Sequence, residues 1–190
     1  MDVTIVHLSD LHLKNDVENR FRLERLRDDI SRLQSSGPVF AAFTGDLIQA
    51  GDENNYDLLF DELIGPLVSQ GHEVLVVPGN HDVQRSITSE EFANRAIRDR
   101  ASSYLFDGRV VRSSHPEPDL DALKNYRSLE DLLGPYDQSN YWGYSVTKGP
   151  VSFVGLNSAW LCCKRKDDAS DRGNLRVEPA VLDMLSRGVA

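Results

Sequence analysis

VLVVPGNHD, residues 74–82, is the stretch that decides the fold. Four apolar residues, three of them β-branched, predict a buried strand over Val74–Val77, and the Pro-Gly pair that follows predicts its end. The next three side chains are an amide, an imidazole and a carboxylate, at Asn80, His81 and Asp82. A strand that delivers such groups at its carboxyl end is typical of a site at the edge of an α/β sheet.

Two earlier segments have the same design. TIVHL (4–8) runs into Ser-Asp-Leu-His (9–12), and VFAAF (39–43) runs into Thr-Gly-Asp (44–46). Strands separated by helices pair in parallel through right-handed crossovers. The sequence therefore predicts a βαβαβ order, an α/β fold class, and three polar loops that meet at one edge of a parallel sheet.

In the two segments between these strands, apolar residues recur at the spacing of an α-helix. In residues 13–34 the apolar positions predict an amphipathic helix that packs on the sheet through Phe21, Leu23, Leu26, Ile30 and Leu33. Residues 56–68 predict a second helix, interrupted by Gly65-Pro66.

The later chain changes character. Residues 83–139, with helical period over 90–104 and 120–133, are interpreted as a helical, loop-rich insertion over the site. Residues 141–160 form two apolar runs around a Lys-Gly-Pro turn and predict an antiparallel hairpin. A last helix is predicted to begin near residue 178, and residues 1–190 are interpreted as a single domain.

Composition narrows the classes of function. The net charge of −9, from 30 acidic and 21 basic residues, disfavours non-specific nucleic-acid binding, because such binding neutralises phosphates with Lys and Arg. No apolar run approaches the ~18 residues of a membrane span, so no membrane partner is expected. The two cysteines are adjacent and form no disulfide framework, which favours the cytoplasm.

The polar loops carry metal-ligand chemistry. Asp10 and His12 are two residues apart, so on extended backbone both side chains would point the same way and grip one ion. Asp46 is placed to bridge two ions, and Asn80 offers a neutral oxygen to the second. Mixed nitrogen and oxygen ligands suit Mn, Fe or Zn. Two such ions would clamp a phosphoryl group and lower the pKa of a water.

His81 is assigned a different role from its neighbour Asn80. It follows a predicted ligand and is not itself required as one. An imidazole in that position can protonate a leaving oxygen or stabilise charge on the phosphoryl oxygens, so His81 is the candidate catalytic residue.

The motifs SDLHL (9–13), TGDLI (44–48) and PGNHD (78–82) resemble the signature of the calcineurin-like metallophosphoesterases, D-x-H, G-D and G-N-H-[D/E]. Together with YWGYSVTKGPVSFVGLNS (141–158), they are most similar to the class III cyclic-nucleotide phosphodiesterase branch. The resemblance implies an αββα sandwich with mixed sheets. It also implies hydrolysis of a phosphodiester by a hydroxide held on two divalent ions.

The family pattern has later parts that this sequence lacks, a His after a further strand and a G-H-x-H segment. We therefore expect the chain to be the N-terminal portion of a metallophosphoesterase domain, truncated at its C-terminus and partnered by further C-terminal sequence. Fewer than two ions are expected in this form, because each missing ligand weakens metal binding.

Two alternatives stay open beside a phosphodiesterase that acts on a cyclic nucleotide or another phosphate ester. One is a nuclease of the same superfamily, which the acidic charge disfavours. The other is a catalytically impaired module that regulates or docks a larger protein, which the missing histidines favour.

Overall fold

A parallel sheet carries the three polar loops. A computed structural model describes residues 2–87, 105–106, 109–110, 120–160, 162–163, 177 and 179–187. In it, β1 (Thr4–Leu8), β2 (Val39–Thr44) and β3 (Glu73–Val77) pair in parallel in the order β1-β2-β3. The three predicted strands are therefore confirmed within a residue at each end. Their shared direction places all three following loops at the same edge.

The chain divides into two compact units. The first comprises Met1–Asp82 and Asn125–Gly134, and the second comprises Val83–Lys124 and Pro135–Ala190. The parallel sheet and its helices belong to the first unit. Its core contains side chains that are at most 1% exposed, among them Phe40, Phe43, Leu59, Leu63, Ile64 and Leu67.

The first helix, α1, spans Val17–Ser31 and is shorter than predicted. Its start is set by Asp16, whose carboxylate accepts the Asn19 N–H at 2.8 Å and so caps the helix. Residues 13–16 are instead used at the sheet edge, where Leu13 forms a parallel bridge with Ile48.

The buried face of α1 differs in part from the prediction. Leu23 and Ile30 are buried, whereas Phe21 is 61% and Leu33 is 45% exposed. Phe21 lies about 200° around the helix from Leu23, on the opposite face, and Leu33 lies beyond the helix end. The prediction that these two residues pack on the sheet was wrong.

The second helical segment is continuous through its Gly-Pro pair. It runs as α2 (Glu53–Leu59), a π-helical turn (Phe60–Ile64) and α3 (Gly65–Ser69). Pro66 has no N–H to donate to the carbonyl four residues earlier, that of Glu62. The Arg27 guanidinium donates to that carbonyl at 3.2 Å instead. The predicted interruption is thus a π turn and not a break.

A fourth helix, α4 (Lys124–Leu133), follows a 3₁₀ turn at Leu120–Leu123, and Gly134 ends it as the sequence predicts. From Asn125 onward it belongs to the first unit. The Tyr126 hydroxyl donates to the Val76 carbonyl of β3 at 3.0 Å, and the Asn125 side chain donates to the Gly51 carbonyl at 2.9 Å. α4 is therefore anchored to the parallel sheet and to the loop after β2.

The second unit is built on an antiparallel sheet. β6 (Gln138–Asn140), β7 (Gly143–Lys148) and β8 (Val151–Leu156) pair in that order, which confirms the predicted hairpin and adds an unpredicted third strand. A two-stranded ribbon, β4 (Leu105–Phe106) and β5 (Arg109–Val110), is also antiparallel. The last helix, α5 (Pro179–Ser186), begins where predicted.

A hydrophobic cluster of the second unit joins two tryptophans to the last helix. It consists of Trp142, Trp160, Val181 and Leu185. With a parallel and an antiparallel sheet, the predicted mixed α/β class is confirmed.

Two sequence predictions, the helix over 90–104 and the charged loop over 164–171, lie outside the described residues. Among the helices that are described, none has both the length and the apolar character that crossing a membrane requires.

Candidate metal centre

The loops after β1 and β2 run side by side beyond the ends of the strands. The Asp10 N–H donates to the Gly45 carbonyl at 3.1 Å, and the His12 N–H donates to the Asp46 carbonyl at 2.9 Å. The ladder continues with Leu13, whose N–H donates to the Leu47 carbonyl at 3.1 Å. Backbone pairing therefore brings the D-x-H segment alongside the G-D segment.

The backbone of these loops is left-handed at the residues that matter. Asp10, His12 and Asp46 have φ values of 55°, 46° and 53°. A residue with a Cβ loses roughly 1–2 kcal/mol in this region, and such strain concentrates at functional sites. Asp10 and His12 therefore do not lie on extended backbone, and the prediction that both side chains point the same way for that reason was wrong. Their placement depends instead on the ladder with the second loop.

The loop after β3 closes onto Asp46. The His81 N–H donates to Asp46 Oδ1 at 2.9 Å. Gly79 makes this approach feasible, because a Cβ there would lie 2.3 Å from both the Asp46 nitrogen and Asp46 Oδ1. Gly45 (φ +97°) is also restricted, since its Cβ would lie 2.9 Å from the Gly79 Cα. Two glycines thus allow two loops to meet backbone to backbone.

Three side chains that could hold a metal ion meet where these loops converge. One ligand atom each from His12, Asp46 and His81 lies within 4.8 Å of the others. His12 Nε2 is 3.9 Å from Asp46 Oδ2, and the two imidazole rings are edge-to-face with centroids 4.5 Å apart. All three residues are partly buried. Two imidazoles and a carboxylate at this separation fit a divalent transition metal.

The sequence places the two other predicted ligands beside this group. Asp10 lies two residues before His12, and its backbone is paired with the second loop. Asn80 lies between Gly79 and His81, the two residues that approach Asp46. The assignment of Asp10 and Asn80 as ligands, and of His81 as an acid, stays a prediction.

Asp82, to which no sequence pattern assigns a role, is buried between the loops after β2 and β3. Its side chain is 1% exposed and accepts hydrogen bonds from the Gly79, Leu47 and Ile48 N–H groups and from the Tyr56 hydroxyl. Its position in the PGNHD motif was visible in the sequence, but no pattern identified its partners 34 and 35 residues earlier.

Burial raises the pKa values of both Asp82 and Tyr56. Desolvation raises the pKa of Asp82 to about 6, although the backbone N–H donors of Gly79, Ile48 and Leu47 act to lower it. Burial, and secondarily the Asp82 charge, raises the pKa of Tyr56 well above its ordinary value, so Tyr56 remains a hydroxyl donor.

Gly79→Ala is expected to weaken metal binding by about 10–100-fold, the usual effect of disturbing a group that orients a ligand. The new methyl group would occupy the space of Asp46 Oδ1 and push that carboxylate away. Gly71→Ala is the control, because Gly71 has φ +84° but nothing within 4 Å of the added Cβ. It should cost stability alone, roughly 1–2 kcal/mol. Calorimetric titration with Mn²⁺ distinguishes the two, and equal affinities would contradict the expectation.

Comparison with known proteins agrees with this geometry. Residues 3–167 match the family model described as calcineurin-like phosphoesterase. The chain therefore belongs to the calcineurin-like phosphoesterase family, as the three motifs predict, and this is a family of hydrolases. The match includes all three loops of the candidate metal centre.

Two individual proteins are also similar to this chain. Over 83 residues the chain is 35% identical to a protein of Moraxella catarrhalis (strain BBH18) named "Probable cyclic nucleotide phosphodiesterase". That match covers 44% of this chain and 28% of the Moraxella protein. Over 188 residues it is 24% identical to the "Uncharacterized metallophosphoesterase-like protein YydB" of Bacillus subtilis (strain 168). That match covers 90% of this chain and 36% of the Bacillus protein. The chain thus matches about a third of the length of these relatives.

Proposed function

We propose that the protein is a metal-dependent phosphodiesterase that hydrolyses a small phosphodiester such as a cyclic nucleotide. The observation that carries this proposal is the meeting of His12, Asp46 and His81 donor atoms within 4.8 Å at the carboxyl edge of the parallel sheet. Family membership supports hydrolysis of a phosphate ester. The name given to the Moraxella relative supports a cyclic nucleotide as the substrate class.

The metal ligands we propose are Asp10, His12, Asp46 and Asn80. Asp10, His12 and Asp46 would hold one ion, and Asp46 and Asn80 would be ligands of a second, more weakly bound ion. The 3.9 Å separation of His12 Nε2 and Asp46 Oδ2 supports the first half of this arrangement. Ions such as Mn, Fe or Zn suit the mixture of carboxylate, amide and imidazole.

The chain's own residues then have separate tasks. When bound, the ions supply Lewis-acid stabilisation of the phosphoryl oxygens and lower the pKa of a water. His81 would hold a proton at its ring and release it to the departing alkoxide oxygen. Its position supports this task, because its ring lies 4.5 Å from that of His12 while its N–H is fixed to Asp46.

Charge and cysteine chemistry support the rest of the proposal. A net charge of −9 favours a small diester over a long nucleic acid, whose binding requires basic side chains. Cys162 and Cys163 are both buried, and neither forms a disulfide bond. Cysteines outside disulfides are typical of a reducing compartment, so we propose a cytoplasmic location.

The test is hydrolysis of bis(p-nitrophenyl) phosphate and of 3′,5′-cyclic AMP by the protein with Mn²⁺, Fe²⁺ or Zn²⁺. We expect turnover that a chelator removes and added metal restores. Turnover of p-nitrophenyl phosphate, a monoester, should be lower by about tenfold or more, equivalent to about 1.4 kcal/mol in the barrier. A protein that binds the metal tightly and hydrolyses none of these esters would contradict the proposal and favour a regulatory module.

A further inference from the structure

We propose that Asp82 is a positioning residue of the metal centre, whose buried carboxylate holds the Asp46 loop and the His81 loop at the separation that metal binding requires. This inference rests on the proposed function, since it assigns a role within that centre. Asp82 itself is 1% exposed, so it is closed off from a substrate.

The carboxylate of Asp82 joins two loops that come from different strands. Oδ1 accepts the Leu47 and Ile48 N–H groups, each at 3.1 Å, from the loop after β2. Oδ2 accepts the Gly79 N–H at 2.8 Å, from the loop after β3. One rigid group therefore fixes the residue after Asp46 and the residue before Asn80.

The attachment between the loops is reciprocal. While the second loop's amides bind the Asp82 carboxylate, the third loop's His81 N–H donates to Asp46 Oδ1 at 2.9 Å. Each loop thus presents an aspartate to the backbone of the other. The Asp46 carboxylate is oriented by this bond, and its other oxygen lies 3.9 Å from His12 Nε2.

A tyrosine of α2 holds Asp82 in turn. The Tyr56 hydroxyl, from α2, donates to Asp82 Oδ1 at 3.2 Å. Tyr56 is 4% exposed and belongs to the buried core. A buried carboxylate with this many donors is costly to disturb, because its removal leaves several buried N–H groups without an acceptor.

Asp82→Asn tests the inference. The amide has the same shape, but its NH₂ group faces backbone donors and cannot accept from them. We expect Co²⁺ affinity, measured by calorimetric titration, to fall by about 10–100-fold, the usual effect of losing a partner that orients a metal ligand. In the metal-free protein, we expect hydrogen exchange of the His81 N–H to accelerate by about tenfold or more, corresponding to the loss of one or two buried hydrogen bonds.

The His81 N–H is the informative probe because its acceptor is Asp46 and not Asp82. Loss of protection there would mean that Asp82 positions the whole junction and not only its own partners. Leu67→Ala is the control for lowered stability, since Leu67 is fully buried in α3. It should lower the melting temperature and leave Co²⁺ affinity unchanged.

The inference would be overturned if Asp82→Asn and Leu67→Ala had the same Co²⁺ affinity and the same rate of His81 N–H exchange. If Asp82→Asn does not fold, Tyr56→Phe decides, because it removes one donor and keeps the carboxylate. Its expected effect on Co²⁺ affinity is about two- to tenfold, the range for one hydrogen bond, and an unchanged affinity would overturn the inference.

Failure of the proposed function gives a different result. A wild-type protein that takes up no Co²⁺ or Mn²⁺ would contradict the metal assignment. The exchange of the His81 N–H, measured without metal, would still decide whether Asp82 holds the two loops together.

Discussion

Asp46→Ala is expected to abolish both metal binding and phosphodiester turnover. Asp46 Oδ2 lies 3.9 Å from His12 Nε2, and Oδ1 accepts the His81 N–H, so one substitution removes a proposed bridging ligand and an anchor of the third loop. Turnover should fall by more than about 10³-fold, because bound ions stabilise the transition state by several kcal/mol. Elemental analysis and the rate with bis(p-nitrophenyl) phosphate are the two measurements.

Two further variants separate ligation from structure. Asp46→Asn retains an oxygen for the His81 N–H but loses the negative charge, so metal affinity should fall if Asp46 is a ligand. Asp52→Ala removes an exposed carboxylate that caps α2 by accepting the Asn54 N–H at 2.9 Å. It should cost about 1 kcal/mol of stability and no metal. A metal affinity of Asp46→Asn equal to that of the wild type would contradict the assignment of Asp46 as a charged ligand.

The strands were predictable because their signals are local. Each of β1, β2 and β3 is a short apolar run that ends at a turn, and such runs are recognisable without knowledge of the rest of the chain. The hairpin of β7 and β8 was predictable for the same reason. β1 is nevertheless less buried than expected, with Ile5 55% exposed.

The helices were less predictable where tertiary contacts override local pattern. Helical spacing assigned Phe21 to the buried face of α1, yet packing selects the face around Leu23 and Ile30. The Gly65-Pro66 pair indicated an interruption, but a π turn and the Arg27 guanidinium satisfy the backbone there. The local sequence of α1 does not determine which of its faces is buried. The sequence around Gly65-Pro66 does not show that a donor from another helix, Arg27, satisfies the backbone there.

The loops that meet at the sheet edge were predictable from the sequence, but the geometry of their side chains was not. Motif position identified the side chains that meet at the sheet edge, including His12, Asp46 and His81. The left-handed backbone of the first two and the buried carboxylate of Asp82 were not predictable, because both depend on pairing between loops that are more than 30 residues apart. Sequence patterns report residue types, while ligand orientation is set by these long-range backbone bonds.

The grouping of His81 with His12 and Asp46 makes its role the central question of the mechanism. All three offer ligand atoms within 4.8 Å, so His81 is placed where it can act either as a ligand or as an acid. Its N–H is held by Asp46, which fixes the backbone and leaves the ring to be oriented by its neighbours. The two roles predict opposite metal contents when the imidazole is removed.

His81→Ala should retain the metal and slow hydrolysis of a diester with an alkoxide leaving group, such as 3′,5′-cyclic AMP, by roughly 10²–10⁴-fold, the usual contribution of positioned proton transfer. Bis(p-nitrophenyl) phosphate should be affected much less, because nitrophenolate departs without protonation. His72→Ala is the matched control, since that imidazole lies before β3, at the opposite end of the strand from His81. Loss of metal in His81→Ala would instead identify His81 as a ligand. Equal rate losses on both substrates with metal retained would mean that His81 stabilises phosphoryl charge and does not donate the proton.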